Sequence, residues 1–170
     1  MVDIAKQGSS VAMGALALSD CGDGDPGGKP LLQHKPGLFK VLEIQQQNLS
    51  EAYEPLRCAL RDRQFLTVRQ HYFKFRDELR RYLTSCSTHV FSYLVNRYSD
   101  DHRYEKQYVK TVLEANEMER FVQTVSMFFA FYNSPSVQFD ASFDRRLASL
   151  IKVLNYRIHR MKAQVYPLLP

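Results

Sequence analysis

Apolar side chains recur at alternating spacings of three and four residues over four long stretches of the chain. This period places them on one side of an α-helix, so the pattern predicts four amphipathic helices, at residues 38–61, 64–98, 102–132 and 140–166. The second stretch has the most regular seam, formed by Phe65, Val68, Tyr72, Phe75, Leu79, Tyr82, Cys86, His89 and Tyr93. Seams of this spacing pack against one another in helical bundles.

Polar or proline-containing segments separate the predicted helices. Ser99, Asp100 and Asp101 end the second helix and cap the third, and Asn133-Ser-Pro135 ends the third. Pro55 lies inside the first helix, where we expect a kink or the end of the regular part. Four helices with short connections predict an all-α fold, an antiparallel up-down four-helix bundle. The seams could also continue between chains, so the spacing leaves the oligomeric state open.

Glycine is confined to the beginning of the chain. All seven glycines lie within the first 37 residues, together with Pro26, Pro30 and Pro36. Such a segment cannot bury enough apolar surface to offset the entropy of ordering. We therefore expect a flexible, disordered tail at residues 1–36, followed by the bundle domain at residues 37–170.

Charge and cysteine usage narrow the functional classes. The net charge of +5 suits an acidic protein partner or nucleic acid. The three cysteines, Cys21, Cys58 and Cys86, contain no C-x-x-C pair, which predicts reduced thiols in a cytoplasmic protein. No apolar run reaches the ~20 residues of a membrane span, so we expect no membrane association.

The histidines do not have the spacing of a bundle metal site. Di-iron bundles place a glutamate and a histidine one turn apart. No acidic residue stands three positions before or four positions after His71, His89, His102 or His159. The sequence therefore predicts neither a metal nor another cofactor.

His89 lies on the predicted seam, and two interpretations stay open there. It is either a buried histidine hydrogen-bonded to a tyrosine or part of a binding surface. A third arrangement, a Cys86 nucleophile activated by His89, lacks a third catalytic group. We therefore predict a protein without catalytic residues, which is not an enzyme.

The fourth predicted helix carries a basic face, and no acidic residue follows Asp144 in this helix. Its members are Arg145, Lys152, Arg157 and Arg160. Three interpretations stay open: a solvated face neutralised by neighbouring helices, a docking site for an acidic protein, and a contact with nucleic-acid phosphates. Near the turn between the second and third helices, Arg97, Tyr98 and Arg103 have the composition of a protein-contact surface, although the tyrosine could also close the core.

Several short motifs occur in the order and spacing of a bacterial regulatory family. They are Leu38-x3-Leu42, Leu49-x2-Ala52-Tyr53-x2-Leu56, Phe75-x3-Leu79-x2-Tyr82-Leu-Thr-Ser85 with His89 and Tyr93, Leu113-Glu-Ala-Asn116, and Leu150-x3-Leu154-x2-Arg157. The chain resembles the regulator-of-sigma-D (Rsd/AlgQ) family over about residues 38 to 166. The resemblance implies a helical bundle that sequesters the primary sigma factor of RNA polymerase. Family members tend to be acidic, whereas this chain is basic.

A looser similarity links the end of the chain, from Arg157 to Leu168, to the closing segment of hemerythrin-like bundles. Arg160, Met161 and Lys162 stand where that family carries glutamates, which implies that the metal has been lost.

The leading prediction is a non-enzymatic regulatory protein, an anti-sigma factor that occludes its partner through His89, Tyr93, Arg97, Tyr98 and Arg103. One alternative is a ligand-sensing bundle whose Tyr72, Tyr82, His89 and Tyr93 line a polar pocket. The second alternative is a nucleic-acid-associated accessory protein that binds through the fourth helix.

Overall fold

The computed structural model describes residues 37–99 and 102–169, apart from the side chain of Phe65, and the predicted tail lies outside these ranges. All four predicted helices are present. The first, α1, is Leu38–Arg61, and the second, α2, is Phe65–Tyr98, in which a π-helical turn at Ser85–Phe91 separates α-helical Phe65–Thr84 from α-helical Ser92–Tyr98. After the 3-10 turn His102–Tyr104, the third, α3, is Glu105–Tyr132. The fourth, α4, is Ala141–Arg160, continued by a π-helical turn at Met161–Val165 and a 3-10 turn at Tyr166–Leu168.

Side-chain contacts between neighbouring helices give their directions. The contacts pair Gln45 with Ser85, Tyr53 with Phe75, Arg76 with Asn133, Glu117 with Arg157, and Phe128 with Phe143. In each contact, a residue in the earlier part of one helix meets a residue in the later part of the neighbouring helix, or the residue that directly follows that helix. The fold is therefore the predicted all-α, antiparallel four-helix bundle. The first helix continues past Pro55 to Arg61, so this proline does not end it. In the part of the chain described here, none of the helices has the length and apolarity needed to cross a bilayer.

A cluster of aromatic rings joins α2, α3 and α4. The ring of Tyr72, on α2, lies 6.1 Å from Phe129 of α3 and 5.6 Å from Phe143 of α4. Phe139, in the connection between α3 and α4, lies 5.2 Å from the same ring. Several of these rings meet edge to face, the arrangement that aromatic quadrupoles favour. The cluster fixes how α3 and α4 turn back on each other.

The π-helical turn in α2 changes which residues face the core. The predicted seam is buried from Val68 to Cys86, but His89 is exposed and Tyr93 is only half-buried. Val90 and Leu94 are fully buried instead. A π turn accommodates extra residues per turn and so rotates everything that follows. The expectation that His89 lies on the seam is therefore wrong, and so is its interpretation as a buried histidine.

This change of register can be tested by comparing two alanine substitutions. Leu94→Ala should lower the free energy of unfolding by about 2–5 kcal/mol, because it leaves a cavity in the core. His89→Ala should leave it unchanged within error, because the side chain is exposed. Urea unfolding followed by circular dichroism measures both values. A large loss in His89→Ala together with little change in Leu94→Ala would contradict the π turn.

The fourth helix starts at the predicted place, and Asp140 explains why. Its Oδ1 accepts hydrogen bonds from the backbone N–H groups of Ser142, at 2.9 Å, and Phe143, at 3.0 Å. These donors would otherwise have no partner inside the helix. The hydrogen bond from Phe143 is the main cause that holds the pKa of Asp140 below its ordinary value of 3.8.

The cap predicts a pH-dependent contribution to stability. Because the pKa of Asp140 is lower in the folded chain, its contribution is complete above the ordinary pKa and is lost as the pH falls through the folded value. The difference in melting temperature between wild type and Asp140→Ala should therefore be largest at about pH 6 and decrease below about pH 4. The control, Asp140→Asn, keeps a capping oxygen that does not titrate, so its difference should be smaller and should not shrink in this way. A constant difference for Asp140→Ala would refute the assignment.

Candidate functional site

The five residues predicted to bind a partner do not form one exposed surface. His89, Arg97 and Arg103 are exposed, Tyr93 is half-buried and Tyr98 is buried. Arg97 joins the two tyrosines, because its Nη1 donates to the Tyr93 hydroxyl at 3.2 Å and its guanidinium lies 5.6 Å from the Tyr98 ring centroid.

Tyr98, at the C-terminal end of α2, closes the core at that end of the bundle. The hydroxyl of Tyr98 donates to the backbone carbonyl of Leu168 at 3.4 Å, and its ring packs 5.5 Å from Tyr104. Arg103 lies over the ring of Tyr104 at 6.0 Å. Tyr98 is therefore unavailable to a partner in this conformation, which corrects its assignment as an exposed contact residue. The exposed side chains of Arg97 and Arg103 remain accessible beside it.

The predicted basic face of α4 is split in two. Arg157 forms an ion pair with Glu117 of α3, and Arg160 forms another with Glu114, which is buried. Both acids come from the neighbouring helix, so these two arginines are neutralised within the bundle. Arg145 and Lys152 stay exposed.

A buried polar cluster lies where the π-helical turns of α2 and α4 approach α1. The buried Gln46 of α1 donates through Nε2 to the hydroxyls of Tyr82, at 3.4 Å, and Tyr166, at 2.5 Å. Burial raises the pKa of Tyr166 to about 12, so its hydroxyl stays protonated at neutral pH. The cluster is linked internally, as a buried polar group requires.

Cys86 and His89 do not form a nucleophile–base pair. Cys86 is fully buried beside Tyr82, and burial raises the pKa of its thiol to about 12. His89 is exposed on the outside of the π turn. A thiol in this position is protonated at neutral pH, and the thiolate is the reactive form.

The environment of Cys86 predicts low reactivity in the folded chain. At about pH 8, iodoacetamide should alkylate the half-buried Cys58 and leave Cys86 unmodified, because the Cys86 thiol is protonated and shielded. Peptide mass spectrometry locates the modified residues, and unfolding in guanidinium should make both react as a control. Rapid alkylation of native Cys86 would show that it is activated.

The pocket expected for the ligand-sensing alternative is not assembled from its four residues. Tyr72 belongs to the aromatic cluster and Tyr82 to the buried polar cluster. His89 faces solvent, and Tyr93 is half-buried beside Arg97. In the ranges 37–99 and 102–169, no three His, Cys, Asp or Glu side chains come together as metal ligands.

A groove along α3 and α4, with a volume of about 860 Å³, offers a recess for a partner. It extends from Glu117 and Arg157 at one end to Tyr132 and Arg145 at the other. Three large apolar side chains in its lining are exposed: Met127 is 75% exposed, Phe131 52% and Val153 44%. The buried or half-buried aromatic and aliphatic side chains of the lining are Phe121, Phe128, Tyr132 and Leu150. We call this the α3/α4 groove.

Arginines surround the α3/α4 groove. Its lining contains Arg120, Arg145, Arg146 and Arg157, with Glu117 as the acidic residue. The carboxylate of Glu117 already accepts from Arg120 at 3.0 Å and from Arg157. The hydrogen bond from Arg157, together with the positive charges of Arg157 and Arg120, lowers the pKa of Glu117. The lining therefore carries excess positive charge.

Sequence reasoning missed the apolar residues of this groove, although a signal was present. Residues 127–132 read Met-Phe-Phe-Ala-Phe-Tyr, and a run of this kind covers more than one face of a helix. The core takes Phe129 and Tyr132, which leaves Met127 and Phe131 outside it.

Comparisons of the chain with protein-family models, curated proteins and solved structures returned no match. The resemblance to the regulator-of-sigma-D family and the looser one to hemerythrin-like bundles therefore stay predictions.

Proposed function

We propose that this chain is a non-enzymatic binding protein that docks a helix of a protein partner in the α3/α4 groove. The observation that carries the proposal is the exposure of Met127, Phe131 and Val153 in one recess. Contiguous exposed apolar surface of this kind is typical of protein-interaction sites. Two packed helices with an apolar groove between them suit the apolar face of a third helix.

The mechanism would be stoichiometric occlusion, in which the bound helix becomes unavailable to its other partners. The resemblance to the sigma-sequestering family makes the primary sigma factor of a bacterial RNA polymerase the first partner to test. On this proposal the protein regulates transcription in the cytoplasm, in keeping with the free thiols of Cys58 and Cys86. The exposed side chains of His89 and Arg97 could enlarge the contact area at the end of α2.

The nucleic-acid alternative has less support from the charges. Two of its four basic residues, Arg157 and Arg160, form ion pairs with acids of α3. Binding to phosphates would require breaking those pairs or using Arg145 and Lys152 alone.

Substitution of Phe131 tests the groove directly. Phe131→Glu should abolish co-purification of the partner, because it places a carboxylate in apolar surface, and should not affect folding, because the side chain is 52% exposed. The matched control is Ile44→Glu on α1, which is also 52% exposed and lies outside the groove. Affinity purification from the native host with quantitative mass spectrometry measures the difference, and circular dichroism checks folding.

The partner should be recovered equally with wild type and Ile44→Glu. Recovery that is unchanged in Phe131→Glu would refute the groove as the docking site. Purified sigma factor tested against the same three proteins then decides whether it is the partner.

A further inference from the structure

We infer that the α3/α4 groove selects an acidic amphipathic helix, one with an apolar stripe flanked by carboxylates. The inference rests on the proposed function and adds the chemistry of the partner segment. It starts from the two arginines at the α4 side of the groove, Arg145 and Arg146.

These two arginines differ from the other two in the lining of the groove. Within residues 37–99 and 102–169, neither forms an ion pair with a carboxylate, whereas Arg120 and Arg157 both pair with Glu117. Arg145 donates through Nε to the backbone carbonyl of Ala141 at 3.3 Å. The guanidinium of Arg146 lies 5.4 Å from the ring centroid of Phe131.

The position of Arg146 over Phe131 places charge at the edge of the apolar surface. A helix that buries its apolar stripe against Phe131 and Met127 therefore brings its flanking residues close to Arg146. Carboxylates there would accept charge-assisted hydrogen bonds, and lysines would be repelled. Arginine can bind a carboxylate through two parallel N–H groups, which adds orientation to the attraction.

The length of the groove also suits a helix. It follows α3 from Glu117 to Tyr132, which is about 22 Å at a rise of 1.5 Å per residue. A segment of roughly 15 helical residues matches this length. The apolar residues by which the bound helix contacts the groove would recur at i, i+3, i+4 and i+7.

Charge and shape disfavour the other occupants. A second copy would bring another basic surface, since the chain carries a net charge of +5. A membrane-binding surface requires apolar side chains that project outward into the lipid. Here they line a recess between two helices.

Two synthetic helices that differ only in charge provide the test. Both are 15-residue peptides held helical by a hydrocarbon staple on the solvent side, with the same leucines at i, i+3, i+4 and i+7. The flanking positions are glutamate in one and lysine in the other. Fluorescence anisotropy measures their binding to the purified full chain.

The glutamate peptide should bind about tenfold more tightly than the lysine peptide at low salt, and the preference should shrink as salt is added. The double variant Arg145→Glu/Arg146→Glu should reverse the preference. The matched control, Lys152→Glu/Lys162→Glu, makes the same change in charge outside the groove and should keep the preference. Circular dichroism of each variant verifies folding.

The contrary results differ in what they overturn: some would overturn the acidic preference alone, and others would also overturn the proposed function. Equal binding of both peptides that is lost in Phe131→Glu would overturn the acidic preference and keep the groove as a helix-docking site. Absence of binding by either peptide would overturn the inference, and recovery of the native partner would then judge the proposed function. Dimerisation that is lost in Phe131→Glu, or binding to phosphatidylglycerol vesicles in place of the peptides, would overturn both.

Discussion

The aromatic cluster around Tyr72 is the contact on which the rest of the bundle depends. It joins α2, α3, α4 and the connection between the last two helices through rings that meet at 5.2–6.1 Å. Because Phe139 and Phe143 lie on either side of the cap at Asp140, the cluster and the cap together set where α4 begins. At the opposite end of the same helix pair, the ion pairs of Arg157 and Arg160 hold α4 to α3. The α3/α4 groove follows from this pairing.

The interior and the surface of the bundle carry different chemistry. Inside, the buried polar cluster around Gln46 is linked by hydrogen bonds, and the Cys86 thiol beside it stays protonated. These groups are themselves buried. On the surface, the α3/α4 groove combines exposed apolar side chains with Arg145 and Arg146, which form no ion pair within the described residues, whereas Arg120 and Arg157 pair with Glu117. Such a combination suits binding, which is why we place the function there.

The four helices could be predicted from the sequence because the seam spacing and the breaks between helices agree. The sequence did not, however, allow us to predict which side of α2 faces the core after Cys86. His89 and Tyr93 continue the alternation of three and four from Cys86, whereas Val90 and Leu94 follow at spacings of four and four, and the π turn selects the second set. Spacing alone does not encode that choice. The sequence left open whether neighbouring helices neutralise Arg157 and Arg160, because their partners Glu117 and Glu114 are 40 and 46 residues away in the chain.

The central claim, that the partner docks in the α3/α4 groove, can be tested most directly by photo-crosslinking in living cells of the native host. Benzoylphenylalanine replaces Met127 in the groove in one version of the protein and His89 on the surface of α2 in another. The account predicts one discrete covalent adduct from position 127, with the crosslink mapped to a helical segment of the partner. An adduct from position 89 together with none from position 127 would contradict it and would favour the end of α2 as the binding surface.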